Sequence, residues 1–138
     1  MATNTQSQQS ISTTLARALQ GNGIFSAVSG LISLAAARPL AEVMGIPSSM
    51  ALAVLGILLL GYAASLLTAV RKPAHALKIG PAAVGMDLLW VIGSIILLLS
   101  GWLPLTTAGT WIILIIGDIV LGFAGWQAYG LWQLRQQN

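Results

Sequence analysis

The chain has 138 residues, of which 57% are hydrophobic and only 7% are charged. A soluble domain carries about 25% charged residues to cover its surface, so this composition excludes an ordinary water-soluble globule and favours a surface that faces lipid. The net charge of +3 comes from basic residues scattered beside apolar runs, which argues against a nucleic-acid-binding patch. Cysteine is absent and His75 is the single histidine, so no disulfide, haem or structural zinc site is expected.

The chain begins with a segment that contains no charged side chain and is rich in Gln, Ser and Thr. We predict that residues 1–16 form a polar, flexible leader, and that residues 17–138 form a single membrane domain. An alternative is a cleavable signal that uses Arg17, the apolar run 23–34 and the three alanines at 35–37. That would leave three membrane helices, but the long polar leader and the Ser- and Gly-rich run argue against it.

Four apolar stretches are long enough to cross a hydrocarbon core of ~30 Å, which needs about 20 residues. They lack the alternation of barrel strands and are too long for them, so they are predicted to be helices. Proline and glycine mark the boundaries, and Gly80-Pro81 is interpreted as a helix start. The sequence therefore predicts an all-α membrane protein, a four-transmembrane-helix bundle of two hairpins, with helices at about 18–37, 50–70, 81–101 and 110–132.

The two predicted hairpins show a weak internal similarity. Asn22 and Phe25 of the first hairpin correspond to Asp87 and Trp90 of the second. Further along, Leu60-Gly61-Tyr62-Ala63 corresponds to Leu121-Gly122-Phe123-Ala124. Apolar hairpins can match by chance, so duplication and coincidence both remain open. A real repeat would relate the hairpins by a pseudo-two-fold axis along the membrane normal.

The basic residues are distributed unequally between the two sides of this bundle. Arg38 alone lies on one side, and the other side carries Arg17, Arg71, Lys72, Lys78 and Arg135. Because cytoplasmic loops are enriched in Lys and Arg, we predict a multi-pass protein of the plasma or inner membrane with both termini in the cytoplasm.

Two aspartates interrupt the apolar segments. An ionisable residue in a membrane helix is costly and usually faces a partner or a cavity, so both are predicted to face the bundle interior. With a rise of ~1.5 Å per residue, the polar side chains fall into two layers on the order of 10 Å apart. The first layer comprises Asp87 with Asn22, Tyr62 and Gln127. The second comprises Asp118 with Ser94 and with Ser29 or Ser33 of the first predicted helix.

Small residues share a helical face with one of these aspartates. Asp118, Gly122 and Gly125 lie on one stripe of the fourth predicted helix, and small residues on such a stripe let another helix approach closely. This pattern predicts that Asp118 points at a neighbouring helix. Gly61 and Ser65 form a similar pair on the second predicted helix.

The aspartates admit two interpretations: proton or cation sites in a polar pathway, or hydrogen-bonding groups that hold helices together. The leading functional hypothesis is an interaction or accessory subunit within the membrane, whose partners are the bilayer and either further copies or a larger membrane complex. The alternative is an oligomeric proton- or cation-coupled small transporter or channel that uses Asp87 and Asp118.

The sequence shows no nucleophile, cofactor or metal motif, which is unfavourable to an enzyme. A cavity that reaches either aspartate would favour transport.

Overall fold

The structure is a computed structural model that describes the backbone of residues 2–136 and the side chains of 13–72 and 74–136. Four of its helices are long and apolar enough to cross a membrane, which agrees with the four predicted spans. A fifth, short helix was not predicted. In chain order the helices are α1 (Ala2–Ala35), α2 (Ala37–Met44), α3 (Ser49–Ala69), α4 (Pro73–Ser100) and α5 (Thr107–Gln136).

The first helix includes most of the segment that was predicted to be a polar leader. Residue 1 lies outside the described part, but α1 is helical from Ala2 onward. Leu15, Ala18 and Leu19 are almost completely buried, and Leu15 and Leu19 belong to a core cluster with Leu66 of α3. Their spacing of three and four residues extends an apolar helical face back into the polar segment. Because most residues of this segment are polar, its apolar face was not recognised from the sequence.

Helix α4 begins earlier than predicted. Lys72 precedes its first turn and Pro73 occupies the N-terminal position where a missing N–H does no harm. Pro81, which was interpreted as the helix start, lies inside the helix. Both prolines fit the same start rule, and an apolar helix tolerates the interior one. The added turns place Asp87 near the middle of α4 rather than near its beginning.

The four long helices form two hairpins, one of α1 with α3 and the other of α4 with α5. The hairpins meet mainly through α1 and α5, whereas α3 and α4 contact each other over a much smaller area. We call the end of the bundle where Arg71 and Lys72 join α3 to α4 the basic end, and the opposite end the α2 end.

The first hairpin is tightly packed through glycine. A methyl group added at Gly56 would lie 2.7 Å from the carbonyl oxygen of Gly30 and 2.8 Å from the backbone nitrogen of Leu34. The predicted pair of Gly61 and Ser65 faces outward instead, and the Ser65 hydroxyl donates to the Gly61 carbonyl within α3. Residue spacing alone does not tell which small-residue face of a helix is packed.

At the α2 end, the segment before α5 is fastened to α2. Gly45 ends α2 in the left-handed conformation, with φ of 80°. The backbone N–H of Thr106 donates to the carbonyl of Met44 at 3.0 Å, and its hydroxyl donates to the carbonyl of Val43. The same hydroxyl accepts from the N–H of Gly109 and caps α5. These contacts join the two hairpins at this end.

Candidate functional site

The carboxyl group of Asp87 lies in the interior of the bundle, with 3% of the residue exposed. Asn22 Nδ2 of α1 donates to Oδ2 at 2.7 Å, and Gln127 Nε2 of α5 donates to the same oxygen at 2.8 Å. The Tyr62 hydroxyl of α3 lies 3.0 Å from Oδ1. The structure therefore brings the four side chains that were assigned to one layer from their depth together around Asp87.

Each amide of the layer is held in place by its own helix. Asn22 is 1% exposed, and its Oδ1 accepts a hydrogen bond from the Ser26 hydroxyl one turn later at 3.3 Å. Gln127 is fully buried, and its Nε2 also donates to the Phe123 carbonyl at 3.0 Å. These local bonds aim both amide nitrogens at Asp87. Ser26 was missed from the sequence, although its position one turn after Asn22 was a usable signal.

The Tyr62 hydroxyl has two possible acceptors. It lies 3.0 Å from Asp87 Oδ1 and 3.3 Å from the Ala83 carbonyl oxygen, but it carries only one proton. When Asp87 is ionised, Tyr62 can donate to the carboxylate. When Asp87 is protonated on Oδ1, the carboxyl can donate to Tyr62, which then donates to Ala83. The same heavy-atom positions therefore satisfy both protonation states.

The layer is rich in hydrogen-bond acceptors and poor in positive charge. Among the described side chains, the partners of Asp87 are two amides and a phenol, and no basic side chain neutralises it. The Oε1 atom of Gln127 is also buried, without a hydrogen-bond partner in the described part of the chain. The group that would complement this layer is a cation or a proton donor.

A cavity adjoins the layer. It has a volume of about 290 Å³, and its polar lining consists of Asn22, Tyr62 and Asp87 together with three serines of α1, Ser26, Ser29 and Ser33. A second cavity of about 430 Å³ continues toward the α2 end and shares Trp90 with the first. The remaining wall of the first cavity is mainly apolar and includes Phe25, Leu55, Leu59, Ile116 and Val120.

The cavity opens sideways between α3 and α4. Leu58 of α3 and Met86 of α4 both line it, and they are also 65% and 52% exposed on the outer surface. Toward the basic end, the hydrogen bond between Tyr62 and Ala83 bridges the same two helices. The opening therefore leads to the apolar flank of the bundle.

The interior position predicted for Asp118 is wrong. Asp118 is exposed, and methyl groups added at Gly122 and Gly125 on the same face would meet nothing within 4 Å. The buried face of α5 carries Val120 and Ala124 and lies on the opposite side of the helix. Both faces contain small residues, so the pattern that favoured an inward Asp118 did not distinguish them.

Ser94 does not join Asp118 either. Its hydroxyl donates to the carbonyl of Trp90 at 2.8 Å, within α4, and its side chain lines the second cavity. The second predicted layer is therefore not formed. Trp90, which lines both cavities, was missed as a site residue, although it lies one turn after Asp87.

The chemistry available at Asp87 is the binding of a proton or a cation, because the layer consists of a carboxyl, two amides and a phenol. Among the described residues, no three His, Cys, Asp or Glu side chains come together as a metal-binding group. In comparisons with known proteins, no family model, no curated protein and no solved structure matches this chain.

Proposed function

We propose that this chain is a small multi-pass membrane carrier in which Asp87 binds and releases a proton or a cation. The observation that supports this proposal is the buried carboxyl at the wall of a cavity, without a basic partner among the described side chains. A cavity that reaches Asp87 is the feature expected of transport rather than of a fully packed subunit.

A purely structural role explains this layer less well. An Asp at the centre of a membrane helix costs about 2.5–3.5 kcal/mol on insertion scales. Asn would make hydrogen bonds to Asn22, Gln127 and Tyr62 without bringing a titratable group. The acidic group is therefore best explained by a step that needs its charge to change.

The proton positions described above give the carrier two states of equal geometry. In both states Asn22 and Gln127 donate to Oδ2 of Asp87. Only the Tyr62 hydroxyl turns, from the carboxylate to the Ala83 carbonyl. A site that cycles between charged and neutral forms requires both forms to be hydrogen-bonded, and this arrangement provides for both.

Infrared difference spectroscopy of the full chain in lipid nanodiscs tests the proposal. Between acidic and alkaline pH, the wild-type protein should show a reversible change in a carboxyl C=O stretching band. Asp87→Asn should remove this change, and Asp118→Asn, the matched control, should keep it. The proposal would be refuted if the wild type showed no pH-dependent carboxyl band, or if Asp87→Asn kept the same band.

The orientation follows from the excess of basic residues at one end. Arg71, Lys72 and Lys78 lie at or near the basic end, which we place in the cytoplasm together with both termini. The protein then belongs to the plasma or inner membrane. Four helices enclose little space, which favours a homo-oligomer or a place in a larger membrane complex.

A second candidate function is supported by a separate observation. Exposed Asp118 lies on the open face of α5 beside Gly122 and Gly125, where a helix of another chain could pack closely. Exposure to lipid would leave the cost of the carboxyl uncompensated. On this proposal the chain is an interaction or accessory subunit, and its partner helix carries a hydrogen-bond donor or a basic side chain at that depth.

The size of the particle extracted in mild detergent tests this second candidate. Wild-type protein should elute as an assembly that Asp118→Leu dissociates, while Asp87→Asn leaves it intact. A wild-type particle that already has the mass of a single chain would exclude the subunit function. Oxidation of Gly122→Cys, in a chain without native cysteine, separates the two kinds of partner: a covalent homodimer would exclude a different chain at this face.

A further inference from the structure

The cavity beside Asp87 has two chemically different parts. At one end its wall includes the Asp87 carboxyl and the Tyr62 hydroxyl, which offer acceptor oxygens, together with the Asn22 amide. The remaining wall is mainly apolar, with the aromatic rings of Phe25 and Trp90, and it also carries the hydroxyls of Ser26, Ser29 and Ser33. A ligand that complements both parts has N–H donors and a positive charge at one end and an apolar body at the other.

The volume sets the size of this ligand. The first cavity measures about 290 Å³ and the adjoining one about 430 Å³, which is the range of small-molecule sites in proteins. An apolar body that starts at Asp87 would pass Trp90, one of five residues that line both cavities, on its way toward the α2 end. A proton or a metal ion alone would leave this apolar volume unexplained.

The position of the opening sets the route of entry. Because Leu58 and Met86 form both the wall and the outer surface, the opening lies on the apolar flank between α3 and α4. The Tyr62–Ala83 contact bridges these helices on the side of the basic end. A molecule that is dissolved in the lipid therefore reaches the cavity directly.

We propose that the cavity binds an amphipathic organic ammonium ion that enters from the bilayer, with its N–H groups on Asp87 and its apolar body against Trp90. This inference rests on the proposed function of Asp87 and names the class of cation that it takes. The bound ammonium ion favours the ionised form of Asp87, because the carboxylate is the form that pairs with a cation.

Quenching of Trp90 fluorescence tests the proposal. The probe is a para-bromophenylbutylammonium ion, whose bromine quenches tryptophan on contact, and the neutral comparison is para-bromophenylbutanol. With the full chain in nanodiscs of zwitterionic lipid, the ammonium probe should quench saturably and Trp90→Phe should abolish that component. Asp87→Asn should weaken the affinity for the ammonium probe by about tenfold or more and leave that for the alcohol unchanged.

Two measurements keep the result interpretable. Asp118→Asn, which changes the other membrane aspartate, should bind like the wild type. In the wild type itself, unbrominated phenylbutylammonium should relieve the quenching while phenylbutanol should not, so the test does not depend on the folding of a variant. Equal binding of amine and alcohol, or saturable quenching that persists in Trp90→Phe, would overturn the inference. If either occurs while the infrared band of Asp87 still titrates, the ligand class is wrong and the proposed function stands.

Discussion

The carboxyl of Asp87 receives hydrogen bonds from α1, α3 and α5 while it is itself on α4, so one side chain connects all four long helices. Buried acceptors of this kind are costly to lose, because each donor left without a partner retains its desolvation penalty. At the scale of single residues, Asp87 should therefore respond very differently to isosteric and to apolar replacement.

We expect Asp87→Asn to fold normally and Asp87→Leu to be clearly destabilised. The Asn oxygen can take the place of Oδ2, and its NH₂ can donate to Tyr62, which then donates to Ala83. Leu would remove the acceptor of one amide N–H of Asn22 and one of Gln127, at about 1–3 kcal/mol for each buried group. Thermal unfolding in detergent, followed by circular dichroism, measures the difference.

Asp118→Leu is the matched control for this comparison. Asp118 is exposed and no described contact depends on it, so an apolar replacement should leave the melting temperature of the single chain unchanged or raise it. A loss of stability equal to that of Asp87→Leu would show that Asp118 faces the interior after all.

At the scale of elements, corresponding glycines in the two hairpins have opposite environments. Gly56 of α3 is buried against Gly30 of α1. Gly117 of α5 corresponds to Gly56 at the same offset of 61 that relates Leu60 to Leu121, and a methyl group added there would meet nothing within 4 Å. The first hairpin is thus locked by close backbone contact and the second is not.

Gly56→Ala should destabilise the protein and Gly117→Ala should not. The added methyl at Gly56 meets backbone atoms that cannot rotate away, and overpacking of this kind costs about 1–3 kcal/mol. At Gly117 the methyl enters open space, and alanine also favours the helix. The measurement is the midpoint of thermal unfolding of each variant in the same detergent. Equal midpoints for the two variants would contradict the packing described for α1 and α3.

The elements that could be predicted from the sequence are those that depend on length and apolar content. Four spans follow from the hydrocarbon thickness, and the layer around Asp87 follows from depth and the need of a carboxyl for partners. The sequence did not distinguish Pro73 from Pro81 as the start of α4, because proline is favoured in the first turn of a helix and both residues fit that rule. The side of α5 that is buried could not be chosen either, since small residues occur beside Asp118 and also beside Gln127. These choices depend on which helix is the neighbour, which is information about the whole bundle.

At the scale of the whole molecule, the two hairpins are joined by the short turn at the basic end, by the interface of α1 with α5 and by the contacts of Thr106 with α2. The hydrogen bonds of Asn22 and Tyr62 to Asp87 join them in the interior. The flank between α3 and α4 is the one that remains open.

The arrangement of the ends predicts the accessibility of introduced cysteines. Ala74 at the basic end and Thr107 at the α2 end are both exposed, and the chain has no native cysteine to interfere. In intact cells or right-side-out vesicles, a membrane-impermeant maleimide should label Thr107→Cys but not Ala74→Cys until the membrane is opened. Labelling of both from the same side would refute the four-span topology.

The hydrogen bond between Asn22 and Asp87 joins two positions that correspond in the sequence similarity of the hairpins. Were the hairpins copies of one ancestor that paired with itself, that ancestor would have presented identical side chains to each other, two amides or two acids. Fusion into one chain lets the positions diverge, so that a single acid faces an amide. The double variant that exchanges the two side chains, Asn22→Asp with Asp87→Asn, should then fold. Asn22→Asp alone would place two carboxyl groups at hydrogen-bond distance, and it should be destabilised at a pH where both are ionised. The fused chain would need one acid that faces one amide, and either helix could carry the acid.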